Sequence, residues 1–140
     1  IDPHSNTIGA GLRSGKVGPL RVGKKDTFAD TLAMMKTAVG RGILGLAGRA
    51  NTVIGVVATD ARLTKAQATK VAQMAQDGIA RTIRPAHTML DGDVIFALST
   101  GAGKADVSSV GAFAAEAVAE AILRAVRMAG SAGGLPGLLK

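Results

Sequence analysis

Thr52 places a hydroxyl at the head of an apolar, β-branched run, Val53 to Thr59, and Asp91 and Asp93 place two carboxylates at the head of another, Val94 to Leu98. A threonine hydroxyl is almost never ionised at neutral pH, so it acts as a nucleophile only where a base takes its proton. The histidines, His4 and His87, are not followed by a recognisable nucleophile elbow and give no Ser/His/Asp order. The backbone offers another base. Cleavage of the Asn51–Thr52 bond would give Thr52 a free α-amine of pKa roughly 7.7–8.0, close to where a general base works best at neutral pH. If the two strand heads met at one sheet edge, Asp91 and Asp93 would stand beside that amine and hydroxyl. Taken separately, Thr52 reads as a strand-entry residue and Asp91-Gly92-Asp93 as a turn. Asp-Gly-Asp lacks a third acidic ligand at calcium-loop spacing, which argues against a metal there, and no cofactor is expected.

The elements that must position these groups follow in the order strand, helix, strand, helix, an α/β arrangement. Val53 to Thr59 is nearly continuous in β-branched residues, the pattern of a strand buried on both faces. Asp60 to Leu63 make a turn. Thr64 with Gln67 forms a capping box, and Ala68, Val71, Ala72, Ala75, Ile79 and Ile83 give a helical stripe ending before Pro85. The second strand ends at a glycine-rich break, Gly101 to Lys104, and a long helix from about Ser108 to Met128 follows. Upstream, residues 1–25 have the Gly, Pro and basic composition of a loop or linker. Thr27 and Asp30 introduce a helix with Phe28, Leu32, Met35 and Val39 on its apolar face, stopped near Gly40 and Gly42. Gly42 to Ala50 suits a flexible approach to the Asn51–Thr52 bond, and the tail from Gly130 is expected to be loose.

The chain has 140 residues, 47% of them hydrophobic, with a mean hydropathy of +0.28, which fits one packed domain. Cysteine is absent, which excludes disulfides, thiolate metal sites and a cysteine nucleophile. The net charge of +7 is concentrated upstream, where residues 1–51 hold 8 Lys/Arg against 3 Asp/Glu. That balance raises a basic nucleic-acid-binding domain as an alternative function. The cations, however, lie among glycines, without the aromatic residues of single-strand binders. No apolar run reaches the ~18–20 residues of a membrane span. The opening Ile1-Asp2-Pro3 reads as the middle of a longer protein, and a cytoplasmic location is the expectation.

Three stretches occur in order: Asn51 through Ala61, Asp77 through Thr88 with Arg84-Pro85-Ala86-His87-Thr88 at its end, and Asp91-Gly92-Asp93 followed by Phe96-Ala97-Leu98. Together they resemble the DmpA-type aminopeptidase and nylon-oligomer hydrolase family over most of residues 51–101. Ile1-Asp2-Pro3 is similar to a stretch that precedes the cleavage site in that family. The resemblance implies an amide or peptide hydrolase matured by autoproteolysis, with Asn51 supplying the scissile carbonyl and Thr52 the nucleophile. Residues 1–51 would end an α part and residues 52–140 form the β part. Asp91 and Asp93 would occupy the polar pair beside the nucleophile. That Asp/Asp pair, with Asn before Thr, follows the nylon-oligomer branch; the aminopeptidase branch has Ser and Glu, with Gly before Ser. The implied fold is part of a four-layer α-β-β-α sandwich, DmpA/ornithine acetyltransferase-like. The implied partners are the upstream α part, further copies in a tetramer of processed pairs, and a small amide or peptide substrate.

Two departures stand out. Val53 replaces the small polar residue that often follows the family's Thr nucleophile, and the oxyanion-hole Asn would lie upstream of residue 1. Losing such a donor costs about 10²–10³ in rate, so the segment alone is expected to be inactive, and an inactive assembly fragment is the other alternative. His87 is read as a histidine packed under a loop, His4 as solvated, and Arg81 and Arg84 as cations complementing a helix end.

Overall fold

Hydrophobic alternation and capping residues set the architecture of the chain's second half. In the computed structural model, which describes residues 1–11, 15–17, 20–22, 28–46, 52–134 and 136–139, the element order opens with the strands β1 (Gly15–Val17) and β2 (Leu20–Val22). The helices α1 (Thr31–Met35) and α2 (Ala38–Leu46) follow. Then come β3 (Ile54–Ala61), α3 (Lys65–Thr82), β4 (Val94–Gly103) and α4 (Val107–Met128). The protein is mixed α/β. Its second half is β3-α3-β4-α4, the order expected from the sequence.

β3 and β4 pair in parallel, with Ile54 opposite Val94, Val56 opposite Phe96 and Ala58 opposite Leu98. α3 is started by a complete capping box: Gln67 N donates to Thr64 Oγ1, and Thr64 N donates to Gln67 Oε1. α4 is capped by Asp106, whose carboxylate accepts the Ser109 amide at 2.7 Å. Both helices pack on one face of the sheet, where Val71, Ala75 and Ile79 of α3 meet Ala114 and Val118 of α4 and Ile95 of β4. Small residues let the helices approach closely. A Cβ on Gly78 would sit 2.8 Å from Val118 Cβ and 2.9 Å from Ala119 N.

Several expectations are corrected. The sheet face bearing Ile54, Val56, Phe96 and Leu98 is more than half exposed at each of these residues, because both helices lie on the opposite side. The β3 run is therefore covered on one face within this chain. β4 continues through the Gly-rich stretch to Gly103 instead of breaking there. The register shifts between Thr59 and Ala61, which pairs with Gly103. Gly101 is what permits this, since any side chain on it would collide with the Asp60 carbonyl. Ser99 locks the end of the bulge by donating to Ala61 O and accepting from Leu63 N.

Upstream, residues 1–25 are not wholly loop: β1 and β2 pair antiparallel, Gly15 with Val22 and Val17 with Leu20. Asp30 is the cap of α1 and accepts from Ala33 N, whereas Thr27 lies outside the described residues. The helix interrupts at Thr37, not at Gly40 and Gly42, which both lie inside α2. Thr37 Oγ1 donates to Met34 O and accepts from Gly40 N, closing one helix and opening the next. The tail is not loose throughout, because Leu139 N returns to Ala129 O at 3.0 Å. Among the described residues, no helix is long and apolar enough to cross a membrane.

Candidate active site

Parallel pairing brings the two strand heads side by side, which puts Thr52 next to Asp91-Gly92-Asp93. The contact is direct at Gly92: a Cβ built there would lie 2.9 Å from Thr52 Oγ1 and 3.8 Å from its Cγ2. The Thr52 hydroxyl thus rests on the one position between the two aspartates that has no side chain. Thr52 is exposed at the mouth of a cleft of about 770 Å³, which Val53, Thr88, Asp91 and Asp93 also line. Asn51 lies outside the described residues.

The residue that follows Thr52 is held at both its backbone N–H and its C=O. Asp93 Oδ1 accepts the Val53 amide at 2.9 Å, and Val53 O accepts the Val94 amide at 2.9 Å. A bond from an amide to a carboxylate is charge-assisted and stronger than a neutral one. The Val53 side chain packs against the core cluster, so the residue after Thr52 is anchored by both its backbone and its side chain.

Asp91 has a different job. Its Oδ2 accepts the Thr88 amide at 2.7 Å, and its own amide donates to Thr88 O at 3.1 Å, closing the Thr88–Asp91 turn that leads into β4. Among the described residues, neither carboxylate hydrogen-bonds Thr52 Oγ1 directly, and no three His, Cys, Asp or Glu side chains gather to hold a metal.

His87 is not packed under a loop, as the sequence suggested. Its side chain is 42% exposed and its Nδ1 lies 3.5 Å from Asp93 Oδ2, while the Asp93 side chain is only 6% exposed. The His87 backbone is left-handed, with φ of 56°. Arg81 stands in the last turn of α3 as expected, but Arg84 lies beyond the helix and donates to Asn6 Oδ1 at 2.8 Å. With the Arg127–Asp2 ion pair at 3.0 Å, this ties residues 2–6 to the ends of α3 and α4 beside the cleft. His4 is exposed. Sequence reasoning missed Gly92 and His87 as members of the site. The signal for Gly92 was its place between two carboxylates; for His87 it was its place in the Arg84-Pro85-Ala86-His87-Thr88 stretch, which was read as loop packing.

Residues 5–138 match the model of peptidase family S58. The chain belongs to that family. A relative named as an uncharacterized aminopeptidase of Mycobacterium leprae is 50% identical over 101 residues, covering 61% of this chain and 28% of the relative. A counterpart in Mycobacterium tuberculosis, also named as an uncharacterized aminopeptidase, is 46% identical over 101 residues, with 61% and 29% covered. A 6-aminohexanoate-oligomer endohydrolase of Kocuria is 28% identical over 90 residues, with 55% and 25% covered. The chain thus spans under a third of the length of these curated relatives. The S58 match includes both strand heads and the loop that carries His87.

Proposed function

We propose that this segment belongs to an amide or peptide hydrolase that matures by cutting itself between Asn51 and Thr52, with Thr52 as the nucleophile in both self-cleavage and turnover. The observation that carries the reading is the seat of Thr52 Oγ1 on Gly92, between two aspartates and open to a cleft. Family membership and the relatives' names support a hydrolase over a nucleic-acid-binding domain. Residues 1–51 end the α part and residues 52–140 form the β part.

In self-cleavage, Thr52 Oγ attacks the Asn51 carbonyl carbon and gives its proton to an aspartate, for which Asp91 and Asp93 are the candidates. The Asn51 C–N bond breaks, the proton passes to the departing Thr52 nitrogen, and the acyl group is left on Oγ as an ester. Water hydrolyses the ester, releasing the Asn51 carboxylate and restoring the hydroxyl. The freed α-amine then serves as base. In turnover it takes the Oγ proton as Thr52 attacks a substrate amide, and it returns that proton to the leaving amine. A second water resolves the acyl-enzyme.

The uncovered sheet face of Ile54, Val56, Phe96 and Leu98 supports completion of the fold by a second sheet, giving the four-layer α-β-β-α sandwich. The upstream α part supplies that layer and the oxyanion-hole donor in this reading, and processed pairs assemble as tetramers. Thr52→Ala in the full-length protein tests the assignment. It should yield uncut precursor by intact mass and no amide turnover, whereas Thr52→Ser should retain some of both. Normal processing of Thr52→Ala would refute it.

A further inference from the structure

We propose that His87 is a positioning residue, holding Asp93 so that its other oxygen fixes the peptide plane next to Thr52. The inference rests on the assignment of Thr52 as nucleophile. The Asp93 carboxylate is bracketed: Oδ1 accepts the Val53 amide at 2.9 Å, and Oδ2 faces His87 Nδ1 at 3.5 Å. Asp93 is nearly buried, so a carboxylate there gains little from water and depends on these two partners. Rotation of the carboxylate away from His87 would tilt or release the Val53 amide, and the Thr52 side chain carried by that peptide would lose its place over Gly92.

The backbone of His87 points the same way. A left-handed φ is uncommon for residues other than glycine, with Asn, Asp and His enriched, and such conformations cluster at functional sites. In this loop the left-handed residue is the one whose ring reaches Asp93. A histidine retained only to fill space would have no need of a half-exposed ring directed at a buried carboxylate. Its contact, at 3.5 Å, is looser than a hydrogen bond and partly solvated, so its influence on rate should be modest, no more than about tenfold, below what a hydrogen bond to a charged group supplies.

Three variants of the full-length protein separate the side chain from the backbone. His87→Gly keeps the left-handed φ and removes the ring. His87→Asn keeps the φ and places an amide nitrogen near the position of Nδ1. His87→Gln puts its amide where Nε2 would be. The readouts are the first-order rate of self-cleavage and the separate kcat and KM of the processed enzyme. Expected are a roughly tenfold loss in self-cleavage and kcat for His87→Gly with KM unchanged, a similar loss for His87→Gln, and recovery to within about threefold of wild type for His87→Asn.

His87→Gly at the wild-type rate overturns the proposal, and so does His87→Asn as slow as His87→Gly. If His87→Gly fails to fold, His87→Gln against His87→Asn decides by the same criterion. Thr52→Ala is measured in parallel. Its failure to block cleavage would remove the nucleophile itself, whereas a blocked Thr52→Ala beside an unaffected His87→Gly would remove only the role of His87.

Discussion

Gly92→Ala isolates the geometry of the nucleophile from the stability of the fold. The φ of Gly92 lies outside the left-handed region, so the backbone accepts alanine, and the new methyl carbon would lie 2.9 Å from Thr52 Oγ1. Close C–H···O approaches sit at about 3.3 Å, so the hydroxyl must retreat by about 0.4 Å or swing to another rotamer. Thr52 is exposed and free to give way, which keeps the change in folding stability within about 1 kcal/mol. Attack geometry is less forgiving. A displacement near 1 Å can remove about 10²-fold of rate, so a shift of this size or a rotamer change should slow self-cleavage by about 10- to 100-fold. The assay is a time course of intact mass on freshly prepared full-length precursor, with thermal unfolding measured alongside. Processing of Gly92→Ala at the wild-type rate, with the fold intact, would refute the claim that Thr52 acts from its seat on this glycine.

Asp93→Ala should cost about 1–3 kcal/mol in denaturant unfolding, because it orphans the Val53 amide, while Asp93→Asn keeps an acceptor and should unfold near wild type yet process slowly. Gly78→Ala should destabilise by about 1–3 kcal/mol or more, since its methyl would press on Val118 and the Ala119 nitrogen at the α3–α4 crossing, and thermal unfolding measures it. The Asp106 carboxyl is held below its usual 3.8 by the Ser109 amide first, then by the Ser109 hydroxyl and the Ser108 amide. A depressed folded pKa gives stability that is present above pH 3.8 and lost as pH falls through the lower folded value. Asp106→Asn should therefore flatten that acid limb of an unfolding-against-pH curve, and an unchanged slope would contradict the capping account.

The most legible parts of this chain were those dictated by local chemistry. Thr64 and Gln67 announced α3, and the apolar runs after Thr52 and Asp93 announced the parallel pair, because capping and β-branched runs act over a few residues. The juxtaposition of Thr52 with Asp91 and Asp93 was also readable, since two strands joined by one helix usually lie parallel with their heads at the same end. Other features depend on distant contacts and left weaker traces. The extension of β4 through Gly101 requires the Asp60 carbonyl to come close from β3, which a reading of Gly-rich sequence as a break does not anticipate. The division of the first helical stretch at Thr37 came from one hydroxyl serving both ends, a weaker pattern than the glycines nearby. His87 gave no sign of its partner because the link to Asp93 depends on a left-handed turn in the intervening loop.

The central claim is that Thr52 becomes a chain terminus and works with its own amine. Stepwise N-terminal sequencing of a catalytically active full-length preparation, paired with intact mass, addresses it directly. The expected result is a smaller fragment that begins Thr52-Val53-Ile54 and increases in step with amide-hydrolysing activity. Full activity from chains that remain joined at Asn51–Thr52 would contradict the account.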